Sequence, residues 1–144
     1  MLMTPFSILF PCCALVGVTA VVWVKLFRDR FSEMRSRQIS PQAIANAKQS
    51  AQTLQNVNSA DHFSNLFEVP VLFYVLCALA FATQLVTPLL VIGAWIFVML
   101  RALQGVIHCT YNRVMHRFPV YLLSTLLLFA MWGVFTVSLL RAST

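Results

Sequence analysis

Acidic residues are nearly absent from this 144-residue chain: it has four, Asp29, Glu33, Asp61 and Glu68, against ten lysines and arginines. No two of them are arranged as a catalytic pair, which excludes chemistry of the two-carboxylate kind. Glycine is as scarce, with four residues, and neither a glycine-rich phosphate loop nor a nucleophile elbow is present. The four cysteines, Cys12, Cys13, Cys77 and Cys109, lie in or beside apolar stretches without metal-ligand spacing. They read as small core residues, and no disulfide framework is expected. The three histidines, His62, His108 and His116, are too scattered for a metal site, so no metal is expected. The chain shows no internal repeat.

What remains is oil. Hydrophobic residues make up 60% of the chain and charged residues 10%, with a mean hydropathy of +0.81. No soluble domain of this length could hide so much apolar surface in one core. The expected fold is all-α: an integral membrane four-helix bundle forming a single domain over 1–144. Its spans lie at about 6–27, 62–83, 87–110 and 119–140, with a long connection over 28–61. The basic residues are interleaved with these spans, so a nucleic-acid partner is not expected and the lipid bilayer is. Lys25, Arg28, Arg30, Arg35, Arg37 and Lys48 flank the first connection, Arg101, Arg113 and Arg117 the third, and Arg141 alone the opposite side. By the positive-inside rule both basic connections are cytoplasmic and both termini lie on the other side, which in a bacterial cell means a multi-pass protein of the inner membrane. No basic residue precedes the first apolar run, so a cleaved signal peptide is not expected.

Charge inside the spans marks the candidate site. An arginine near the bilayer centre costs about 2.5–3.5 kcal/mol on insertion scales, so Arg101 must face protein. At 3.6 residues per turn Arg101, Gly105, His108 and Asn112 share one stripe, with Gln104 beside it. For His108 an interhelical hydrogen bond is favoured over metal ligation. In the second span Asp61, Asn65 and Glu68 are spaced to share one face, and a buried Glu68 needs an arginine; the pair either fixes helix packing or also shapes a polar pocket. Pro70 should kink that helix or loosen a turn. Pro119 is expected to open the fourth span, which sets Arg117 beside a helix N-terminus and makes Arg113, Arg117 and that helix end the best anion site. Ser40-Pro41 is a helix-start signal, and the polar stretch 42–59 reads as a short cover helix. The stretch 28–37 is a solvated helix end near anionic headgroups, or its Arg35 or Arg37 clamps an anionic ligand.

Two segments, Asn65-x-x-Glu68 with the proline that follows, and Arg101 through Asn112-Arg113 to Arg117-x-x-x-Tyr121, resemble those of the membrane-associated proteins in eicosanoid and glutathione metabolism, which include microsomal glutathione transferases. The resemblance covers nearly the whole chain. It implies a homotrimer of left-handed bundles, with glutathione as co-substrate bound between subunits and a hydrophobic small molecule reaching it from the bilayer. Carried over, Asn65, Glu68, Arg101, Arg113 and Tyr121 would bind glutathione or organise its site, and Arg117 would stand near the sulfur, with Arg117 and Tyr121 as catalytic groups. The chain departs from the family where basic residues commonly precede the asparagine: Asp61, His62, Phe63 and Ser64 stand there, leaving Arg35 or Arg37 to complete the clamp. The implied activity is a glutathione-dependent transferase or peroxidase acting on lipophilic electrophiles or lipid hydroperoxides. The alternative is a non-catalytic lipid- or partner-binding protein of the same family.

Overall fold

The computed structural model describes residues 4–44, 46, 49, 53–54, 58–110 and 113–143. The expectations for Lys48, for Asn112 and for half of the cover stretch 42–59 fall outside the described residues. Every regular element among them is helical, and four stretches are long and apolar enough to cross a membrane.

A 3₁₀ turn over Pro5–Ile8 leads into α1 (Leu9–Arg37), whose first turn holds Pro11, where a missing N–H removes no helical bond. The helix continues beyond its apolar run because its mixed charges pair at i, i+4: Lys25 with Asp29 at 2.9 Å and Arg37 with Glu33 at 2.6 Å. Gln38, at φ 50°, closes it, and the Ile39 N–H donates to the Met34 carbonyl at 3.0 Å. Ser40 Oγ accepts from the Gln42 N–H at 3.3 Å and opens a 3₁₀ turn over Pro41–Ile44, the start signalled by Ser40-Pro41.

The second span is two helices, α2 (Asn58–Asn65) and α3 (Val69–Ala82). Pro70 causes the division: it has no N–H to give Leu66, and its ring disfavours helical geometry at Val69. Glu68, at φ −96° and ψ −99°, lies in the break and is exposed. This corrects two expectations. Asp61, Asn65 and Glu68 do not share one continuous helix face, and Glu68 is not a buried carboxylate; it makes no ion pair among the described residues. An exposed carboxylate escapes the desolvation that a buried ion pair would have to repay.

Gln84, at φ 60°, ends α3, with the Leu85 N–H reaching the Ala80 carbonyl at 3.0 Å. The chain then turns directly into α4 (Pro88–Cys109), where Thr87 Oγ1 accepts from the Leu90 N–H at 3.3 Å. The last helix, α5 (Val114–Ser143), starts five residues before Pro119. The Arg113 carbonyl accepts the N–H groups of His116 and Arg117 at 3.1 and 3.0 Å, so the first turn closes without the proline. Pro119 thus lies inside the helix, and Arg117 sits within its first turn.

α4 is the centre of the bundle, buried over 56% of its most apolar window against 22% for α1 and for α5. Lipid is as apolar as leucine, so packing rather than water exclusion must hold these helices together. Phe73 of α3 stacks on Phe97 of α4 at 4.7 Å, and Gly93 lets Met131 of α5 approach so closely that a Cβ would stand 3.0 Å from its Cγ. Cys77 belongs to this core, whereas Cys13 faces outward among Phe10, Val16 and other exposed apolar residues. An apolar groove of about 520 Å³ separates α1 from α4, lined by Gly17, Val22, Ala102, Gly105 and Val106, with Lys25 at its end.

Candidate functional site

Where α2 ends, α4 ends and α5 begins, the apolar packing gives way to a buried polar cluster. Arg101, Gln104 and His108 are at most 1% exposed, and Gly105 is buried beside them, so the stripe on α4 does face protein. Arg101 Nη2 donates to the Asn65 carbonyl at 2.7 Å. In an unbroken helix that oxygen would take the Val69 N–H; the break frees it, and the guanidinium caps the end of α2 with the charge its dipole favours. The same guanidinium lies 5.7 Å from the centre of the Tyr121 ring. Its Nε and Nη1 have no hydrogen-bond partner among the described residues, nor has Gln104 Oε1.

Arg117 Nη1 lies 2.6 Å from His108 Nε2. A guanidinium has no acceptor atom, so the imidazole nitrogen must be the acceptor, and His108 is neutral with its proton on Nδ1. The interhelical hydrogen bond expected for His108 is therefore present, and its partner is Arg117. A pocket of about 160 Å³ opens beside this pair, lined by Asn65, Gln104, Arg117, Phe118 and Tyr121.

The structure thus brings together Asn65, Arg101, His108, Arg117 and Tyr121. Three other residues do not line the pocket. Arg113 is exposed ahead of α5, Glu68 is exposed in the break with its charge still acting on Arg101, and Arg37 donates to Glu33 at 2.6 Å and to the Thr53 carbonyl at 3.0 Å. Two members of the cluster had no assigned role from the sequence. Gln104 lines the pocket, and His62 packs its ring against His108 with centroids 5.2 Å apart. Only Gly105 hinted at His62: a glycine on a bulky helix leaves room for a side chain from elsewhere.

A protein-family model described as the MAPEG family matches residues 8–137. The chain belongs to the MAPEG family. No curated protein and no solved structure gives a significant match. The match runs from the start of α1 through most of α5, so the polar cluster lies wholly inside the MAPEG region. Among the described residues no three His, Cys, Asp or Glu side chains group as metal ligands. What this MAPEG site does contain is cationic: Arg117 lines the pocket, and the fully buried Arg101 lies behind its Asn65 and Tyr121 walls.

Proposed function

We propose that the chain is a glutathione-dependent membrane transferase or peroxidase acting on lipophilic electrophiles or lipid hydroperoxides. The observation that carries this reading is the cationic cluster: Arg117 lines the pocket, and Arg101, fully buried with its Nε and Nη1 unmet among the described residues, lies directly behind two of the lining residues, Asn65 and Tyr121. Unmet donors on a buried cation are expensive, and an anionic ligand would satisfy them. Glutathione, when bound, would supply its carboxylates to such donors and its sulfur as the nucleophile. Arg117, held at one edge by His108, would favour thiolate over thiol through its charge. Tyr121 would donate a hydrogen bond to the sulfur or to charge developing on the substrate.

The pocket of about 160 Å³ is smaller than the roughly 300–1,000 Å³ usual for a small-molecule site, so one chain would supply only part of it. We therefore place glutathione between subunits of a homotrimer, at the basic and hence cytoplasmic end, with both chain termini on the other side. A second reading rests on a separate observation: exposed Asp61, with Phe63 and Ser64, replaces a basic clamp along α2. It makes the protein a non-catalytic binder of lipid or of a protein partner.

The two readings separate in purified protein. Conjugation of a lipophilic aryl halide, or reduction of a fatty-acid hydroperoxide, at millimolar glutathione supports the enzyme. Calorimetric silence toward glutathione under the same conditions, with no turnover, favours the binder.

A further inference from the structure

We propose that His62 is a positioning residue of this site: seated in the space that Gly105 leaves, it holds the His108 ring in the tilt that presents Nε2 to Arg117. The inference rests on the reading that Arg117 stabilises a thiolate.

His62 is 0% exposed on α2, and neither ring nitrogen has a hydrogen-bond partner among the described residues. A leucine would fill such a space without burying unmet polar atoms, so apolar packing does not account for an imidazole there. The neighbouring helix is shaped around it: a Cβ on Gly105 would stand 2.9 Å from His62 Nε2, closer than a real Cβ tolerates. The ring meets His108 at 64°, an edge-to-face contact of the kind aromatic pairs prefer. His108 in turn accepts from Arg117 at 2.6 Å. The chain of contacts thus runs from α2 through α4 to α5, and each link constrains the next. A metal between the two rings is disfavoured, because Arg117 already occupies the Nε2 lone pair of His108 and brings a positive charge with it.

The test uses the full-length protein in lipid nanodiscs, with two readouts. One is the side-chain ¹⁵N signal of the Arg117 guanidinium in ligand-free protein, which is slowed and resolved when a neighbour holds it. The other is the thiolate ultraviolet absorbance on adding glutathione. His62→Ala is expected to lose the Arg117 signal and to lower thiolate at neutral pH about 10- to 150-fold, the worth of one charge-assisted hydrogen bond. His62→Phe, which returns a ring edge to His108, is expected to restore the signal. General loosening of the bundle would lower the melting temperature without this pattern of loss and rescue. An assembled alanine variant that keeps the Arg117 signal overturns the proposal. Should that variant fail to assemble, His62→Gln, polar but ringless, is read by the same criterion. If wild-type protein forms no thiolate while the Arg117 signal still depends on His62, the thiolate reading fails and the positioning role stands.

Discussion

Replacing Arg101 by methionine should separate a structural cap from a ligand-binding cation, because the two roles move different quantities. In the ligand-free bundle the substitution removes the 2.7 Å bond to the Asn65 carbonyl, a charge-assisted hydrogen bond of about 1.5–3 kcal/mol. It also removes two buried donors with no partner among the described residues, each of which costs about 1–3 kcal/mol while unmet. These opposing changes largely offset, so melting without ligand should shift by no more than about 2 kcal/mol. On the proposed reading the offset disappears with glutathione present, because a carboxylate or thiolate of the ligand would satisfy those donors in wild-type protein only. Losing one such bond raises Kd about 10- to 150-fold at 1.4 kcal/mol per decade. Isothermal calorimetry and melting curves in the same detergent measure both. An unchanged Kd together with a loss of several kcal/mol in stability would refute the reasoning and leave Arg101 as a cap for α2 alone.

Arg117→Ala should abolish turnover while leaving the elution volume of the assembly unchanged, since Arg117 is only partly buried in the first turn of α5; retained wild-type turnover would remove it from the chemistry. Glu68→Gln should lower stability by no more than about 1 kcal/mol, because the exposed carboxylate makes no ion pair among the described residues and acts on the buried Arg101 only through its charge at longer range; a thermal melt reads it. Gly93→Val should destabilise the bundle by about 1–3 kcal/mol, since even a Cβ meets Met131 Cγ at 3.0 Å; a thermal melt reads it directly.

Much of this architecture is legible in the sequence because hydrocarbon imposes few solutions. Long apolar runs must be helices, so the spans follow from hydropathy. The stripe of Arg101, Gln104, Gly105 and His108 was readable from helical period alone, since charge inside a span has to face protein. Pro70 signalled a disturbed helix. It did not reveal that the freed carbonyl of Asn65 would be capped by Arg101, 36 residues away. That bond exists only after α2 and α4 pack, and no local pattern encodes it. The same holds for His62 against Gly105, a contact set by helix pairing. The start of α5 differs from the proline signal at 119 for a local reason: the Arg113 carbonyl closes a turn ahead of it.

The proposed function requires a thiol that ionises at the pocket lined by Arg117. Its most direct measurement is the thiolate absorbance of purified wild-type protein titrated with glutathione at neutral pH, against S-methylglutathione as the blank. A saturable rise, absent from Arg117→Ala, is the expected result. Calorimetric binding of glutathione with no thiolate signal would contradict the claim, because the cations would then hold the peptide without acting on its sulfur.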